Sequence, residues 1–430
     1  MNRKLKEIIF DMRHQPVIAG VTLIGTALSI FMIIVMVIVQ QIAVLPFAPE
    51  SQRGRLLHGW YMDIADLSGE GESSSGLDYE TAERLYGGLE GVERMSVYAK
   101  DVEPATVEGP MHNPFSVDLR RTDGEFWNIF NHTLVSGRYY TAEEARDNRH
   151  VAVVNESTAR QLFGDGGAVG KTFYVDFEEY TVIGVVKDHT RLATHAQSDV
   201  FLPASPLDPN LRWGDNPCLG NLATVLLMED GADPEDIRAQ VKTRYDQLNS
   251  ELKAQGKTAV YHQSPYDQFT AINGNMGSNT DPETESSRNM HIVIYALLLI
   301  VPAINLSSML HSRLRRRVSE IGVRRAFGCT RMRLIADILA ENMLVTLVGG
   351  VIGVTLGYVF AMNMDSLYLN ILPYSNCTHP LGTPDLGMLL NWRPIGVALG
   401  VCLVLNVLTA SIPAWQATRL SPVEAINGKV

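Results

Sequence analysis

The chain has 430 residues, of which 19% are charged, and a formal net charge of −11. An acid excess argues against nucleic-acid binding, whose affinity comes largely from neutralising phosphates. Mean hydropathy is close to zero, as in a soluble protein, but the apolar residues are concentrated in four blocks, 17–39, 291–310, 343–361 and 394–415.

Leu5, Ile8, Ile9 and Met12 recur at helical spacing with Lys4, Lys6, Asp11 and Arg13 between them. This predicts an amphipathic helix over 1–16, lying in the inner membrane interface; the alternative is the ordinary start of a longer first helix. The block 17–39 carries no charge. A helix rises about 1.5 Å per residue, so roughly 20 apolar residues cross a hydrocarbon core about 30 Å thick. The block is too long for the apolar part of a signal peptide, about 7–15 residues, and is read as a retained anchor.

Between the first and second blocks, residues 46–288 hold 21 Lys and Arg against 39 Asp and Glu, a net charge of −18. This segment reads as mixed α and β. Helices are expected over 79–89, 141–147 and from an Asn155 cap to Phe163. Strands are expected over 115–121, 151–154, 172–175 and 180–186, with a turn at 176–179. Asp233-Pro234 opens a long helix with Ile237, Val241, Tyr245, Leu248 and Leu252 on one side. Residues 273–285 are rich in Gly, Asn and Thr and read as a loop.

Nothing in this segment reads as a catalytic centre. Gly164 to Thr172 imitates a phosphate-binding loop, but Asp165 stands where its first glycine belongs. His189 and His195 are six apart, and Asp176, Glu178 and Glu179 are too few for an EF-type calcium loop. Cys218, Cys329, Cys377 and Cys402 have no metal-binding spacing. A Cys218–Cys377 disulfide is left open.

The stretch 311–337 holds eight arginines against Glu320 and Asp337. Leu314, Val318, Ile321 and Phe327 give one apolar side, Glu320 can pair with Arg316 or Arg324, Gly328 can end a helix and Thr330 can cap the next. A helix–turn–helix and a plain basic anchor fit these residues equally well. By the positive-inside rule this stretch and the N-terminus are cytoplasmic. Gly349, Gly353 and Gly357 lie four apart in the third block, where small residues allow close helix approach. Glycines tolerated by chance are the alternative.

The fold class expected is therefore an α-helical membrane protein with four transmembrane helices, 17–45, 290–310, 339–362 and 394–415. A large mixed α+β extracytoplasmic domain, 46–289, is inserted between the first and second. A basic cytoplasmic segment (311–338), an outer loop (363–393) and a cytoplasmic tail (416–430) complete the chain.

Glu320-Ile-Gly-Val-Arg-Arg-Ala-Phe-Gly328 resembles the E-I-G-x-R-[RK]-A-x-G signature of MacB/FtsX-type (type VII) ABC transporter permeases. Pro413-Ala-Trp-Gln-Ala417, Pro422 and Glu424-Ala425 are similar to that family's ending. Glu125-Phe-Trp127, Ser136-Gly-Arg138, 151–156, 162–164, 169–171 and 182–188 resemble its periplasmic core domain, in the expected order. The resemblance implies a non-catalytic permease subunit in a bacterial inner membrane, with both termini cytoplasmic. It implies a separate cytoplasmic ABC ATPase holding the ATP and Mg, and a homodimer or a heterodimer with a related permease. A periplasmic or outer-membrane partner is a further expectation. No cofactor is expected on this chain.

Arg317, Glu320, Ile321, Gly322, Arg324, Arg325, Ala326 and Gly328 would form the ATPase-coupling segment, and Gly349, Gly353 and Gly357 the helix-packing face. The implied function is export or extraction of a substrate by mechanotransmission. The alternative is a signalling subunit that controls a cell-wall hydrolase or senses a peptide.

Overall fold

The computed structural model describes residues 46–67, 72–110, 113–189, 193–208, 211–212, 218–273 and 323–363, with isolated helical positions within 20–35, 284–300 and 396–415. The expected helix 1–16, the outer loop 363–393 but for Asn363, and the tail 416–430 lie outside these residues. The chain divides into two units: 42–288 with 365–384, and 1–41 with 289–364 and 385–430.

The larger unit contains, in chain order, β1 (Leu56–Gly59), β2 (Met62–Asp66), β3 (Glu72–Leu77), α1 (Tyr79–Tyr86), β4 (Val92–Ala99), β5 (Glu103–Glu108) and β6 (Phe115–Thr122). Then come α2 (Phe126–Ile129), β7 (Leu134–Gly137), α3 (Ala142–Arg146), β8 (Val151–Asn155), α4 (Glu156–Phe163), β9 (Thr172–Val175), β10 (Glu178–Val186) and β11 (Val200–Pro203). β12 (Leu219–Gly220), β13 (Leu222–Met228), α5 (Pro234–Leu252), β14 (Lys257–Val260), β15 (Tyr266–Asp267) and α6 (Gln268–Asn273) complete it.

Local chemistry fixes the helix starts. Asp78 accepts from the Thr81 N–H, Asn155 from Thr158 and Asp233 from Glu235, while Thr141 and Glu144 form a capping box. α1 ends at Tyr86, three residues before its expected end, because Gly87-Gly88 follows and Gly88 is left-handed at φ +61°.

Strands β11, β8, β10, β9, β5 and β6 pair in sequence, and β11 also pairs with β6, so the circuit closes into a barrel. Val107, Val117, Ala152, Val154, Phe173, Val182, Val200 and Leu202 fill it, and α4 packs Leu162 and Phe163 onto them. β4, β13, β3, β2 and β14 continue as an antiparallel sheet. α1 and α5 cover one face of that sheet with Leu85, Tyr86, Ile237, Val241, Tyr245 and Leu248.

The third core cluster, an aromatic seam, joins the two parts. β13 shares its side chains by the period of two: Leu222 and Leu226 face the helices, while Ala223, Val225 and Leu227 face Phe126, Trp127, Phe130 and Tyr140. β8 and β11 divide likewise, Val153 and Phe201 turning out of the barrel into the seam. Each fully buried large side chain is worth roughly 1.5–3 kcal/mol, so the double-sided strands carry much of the fold.

Among the described residues no helix stands as a complete membrane span, so four spans are not seen. The first, second and fourth expected spans lie mostly outside those residues. The third falls within α7 (Arg331–Met362), whose positions 343–362 carry no charge.

Candidate functional site

Residues 323–326 form the end of a helix. The N–H groups of Phe327, Gly328 and Cys329 donate to the carbonyls of Val323, Arg325 and Arg324 at 3.0–3.1 Å. Gly328 sits at φ +89°, a conformation glycine adopts without Cβ strain, and the chain turns there into α7. The turn displays rather than buries its apolar residues: Phe327 is 89% exposed and Met332 75%. Arg324 and Ala326 are exposed and Arg325 half-buried. Arg317, Glu320, Ile321 and Gly322 lie outside the described residues.

Along α7, Thr346, Gly349, Gly353 and Gly357 are buried, while Leu347, Val348, Val351, Leu356 and Val359 face outward. A Cβ on Gly353 would stand 2.7 Å from the Ala27 carbonyl oxygen and 3.0 Å from the Ile30 side chain. The ring of Phe360 meets that of Phe31 edge-on, with centroids 5.8 Å apart. α7 thus packs backbone to backbone against the helix of the first apolar block, an approach open only to glycine at that point.

A second group lies where the larger unit begins and ends. Glu50 and Arg53 form a buried ion pair at 2.6 Å. The other Glu50 oxygen accepts from the N–H groups of His195 and Ala196 at 2.8 and 3.0 Å. Arg53 also lies over the ring of Phe47. His58 on β1 is bonded through Nε2 to Gln268 on α6 at 2.8 Å, and β1 pairs with β15 at His58 and Tyr266. The ingoing and outgoing segments are thereby tied into one sheet edge. Arg120, also buried, donates to the carbonyls of Ala99 and Thr194 at 2.7 and 3.0 Å.

Burial, and then repulsion by His195, lowers the His58 pKa to about 3. Burial, and then Arg53 and Arg120, lowers that of His195 to about 3. Both imidazoles are neutral at physiological pH, with centroids 4.4 Å apart. No group able to hold a metal occurs among the described residues. Sequence reasoning missed this cluster, and no spacing could have found it, because Glu50 and His195 meet only through the fold.

A cleft of about 290 Å³ opens between α1 and α3, lined by Tyr79, Glu83, Asp123, Glu125 and Arg146 over Met95 and Val97. Arg146 bridges it to Glu83 at 3.0 Å. Burial raises Asp123 to about 6, but its oxygens already accept from Ser96, Val97 and Phe126. The false phosphate loop is the turn from α4 to β9. Its Lys171 folds back to the Gly166 carbonyl at 3.2 Å and over the ring of Phe163. Cys218 is a buried free thiol whose pKa is raised by burial; Cys377 lies outside the described residues.

Residues 19–244 match the MacB-like periplasmic core domain, and residues 292–422 match the FtsX-like permease C-terminal domain. The chain is 22% identical over 302 residues to the ABC transporter permease YknZ of Bacillus subtilis, covering 70% of this chain and 68% of that one. It is 26% identical over 340 residues to the macrolide export ATP-binding/permease protein MacB of Chromobacterium violaceum, covering 76% and 47%. The chain thus spans under half the length of that relative. Among solved structures, the periplasmic region of MacB from Actinobacillus actinomycetemcomitans is 16% identical with a TM-score of 0.34, covering 50% of this chain and 94% of that one.

Proposed function

This chain belongs to the family of MacB-like, FtsX-type ABC transporter permeases, and from that premise we propose that it transmits the work of a separate cytoplasmic ATPase to its outer domain. One observation carries the reading: an exposed basic turn with a projecting phenylalanine is joined directly to α7. α7 also turns its apolar side chains outward, an arrangement that water disfavours and lipid accepts.

In this reading the four apolar blocks are four spans and the chain sits in a bacterial inner membrane with both termini inside. Arg317, Glu320, Ile321, Gly322, Arg324, Arg325, Ala326 and Gly328 contact the ATPase, which holds ATP and Mg. Two permease copies, identical or related, stand over the ATPase pair. Closure of that pair pushes on the basic turn. The outgoing segment then moves α6 and β15, and through the His58–Gln268 bond it moves β1 and the sheet. The cargo is exported or extracted by this motion.

The test uses the full chain in nanodiscs with the ATPase that co-purifies with it. Arg324→Glu combined with Arg325→Glu is expected to lower the stimulated ATP turnover about tenfold, the effect of roughly 1.4 kcal/mol of lost coupling. Thermal unfolding of the outer domain should not change. The reading fails if no ATPase accompanies the wild-type chain, or if turnover is the same in both.

A further inference from the structure

β9 and β10 pair at Val175 and Glu178, leaving Asp176-Phe177 as a two-residue hairpin loop. Both residues are left-handed, with φ +46° and +74°. This is the backbone of a tight primed turn, which favours Asn or Asp first and glycine second. A residue with a Cβ is disfavoured there, and a ring more so. Yet the second position holds phenylalanine, 96% exposed. Neither the backbone nor the core accounts for that ring.

The tip is held firmly. The Asp176 N–H donates to the Thr106 carbonyl, and its carboxylate accepts from the Thr106 N–H, both at 2.9 Å. β9 also pairs with β5, matching Val175 to Val107 and Tyr174 to Glu108. Phe173 and Val175 are buried in the barrel, so the hairpin is part of its wall. A second aromatic, Tyr174, is 44% exposed and lies between Glu108 and Glu179 in the register. Asp176, Glu178 and Glu179 are exposed around the tip.

We propose that this hairpin is a docking knob: Phe177 enters an apolar pocket, rimmed by Lys and Arg, on a separate soluble protein. Aromatic anchors seated in pockets carry most of the energy of protein interfaces, and a rigid one loses little entropy on binding. The carboxylates choose the kind of partner. They attract a basic rim and are repelled by anionic lipid headgroups. They also disfavour a second copy of this same acidic tip.

The test places a benzophenone amino acid at position 177 of the full-length chain, in cells of its own species, and identifies the adduct formed on irradiation. Binding of the purified adduct partner to the chain in nanodiscs is then measured for wild type, Phe177→Gly and Glu178→Lys/Glu179→Lys, at low and high NaCl. The expected result is one protein carrying a cationic-rimmed apolar pocket. Phe177→Gly weakens its binding at least tenfold, and the charge reversal removes most of the salt dependence.

Phe177→Gly should also leave the unfolding temperature unchanged or higher, because glycine relieves the left-handed backbone. A residue kept for structure would lower it. The proposal is overturned by adducts only with lipid or a second copy, by no adduct, by binding indifferent to Phe177→Gly, or by a fall in unfolding temperature.

Discussion

Arg53 and Arg324 present the same guanidinium in opposite settings. Arg53 is 1% exposed and ion-paired with Glu50, which in turn holds the backbone of His195 and Ala196. Arg324 stands on an exposed turn beside a projecting Phe327. Inside the outer domain, burial raises the cost of an unpaired charge, and Arg53 and Glu50 are committed to each other. On the basic turn, Arg324 is exposed, so its side chain stays accessible to a second protein. The first region should therefore report on stability and the second on association.

Three measurements test this contrast. The largest effect is expected from Arg53→Ala, which leaves Glu50 buried with an unpaired charge. It should cost about 3–5 kcal/mol in denaturant unfolding of the outer domain, whereas Arg324→Ala should stay within about 0.5 kcal/mol. Equal costs would end the comparison.

The second is a pH titration. The folded pKa values of His58 and His195 are lowered to about 3, below the ordinary 6.5. Their contribution is complete above about pH 6.5 and is lost as pH falls toward 3, because the unfolded chain binds the protons first. Between pH 7 and pH 5 each histidine should lower stability by about 2 kcal/mol. Burial raises Asp123 to about 6, so its titration acts in the opposite sense. The diagnostic is therefore a difference: His58→Gln should flatten the fall in unfolding temperature over that range. An unchanged slope would mean that His58 titrates normally.

The smallest is local. Gly328→Ala places a Cβ at φ +89°, at a cost of about 1 kcal/mol confined to the turn. Hydrogen exchange of the amides at 327–329 should quicken several-fold while those of β13 stay protected. Quickening throughout the chain would show that the turn supports the fold as a whole.

Much of the outer domain was legible in the sequence because its signals are local. Asn155 caps α4, Asp233-Pro234 opens α5, and the five apolar residues of α5 that follow are all buried. The strands at 151–154 and 172–175 show the β-branched and aromatic residues of a pleated surface. β1, β11, β13 and β14 gave no such signal. β13 is buried on both faces, and an apolar run broken only by Thr224 has no period to read. The glycine at 353 was visible as a small residue, but its neighbours Ala27 and Ile30 were not.

The family signatures, the acidic outer domain and the basic turn are properties of composition and of short-range order, readable from the residues alone. The closed barrel, the burial of Glu50 against Arg53 and the bond between His58 and Gln268 join residues up to 210 positions apart. These come from the packing of the folded chain, because a buried charge or imidazole is defined by what surrounds it. The same holds for Phe177. Its place in a turn at 176–179 was legible, but its left-handed backbone and its exposure belong to the folded chain.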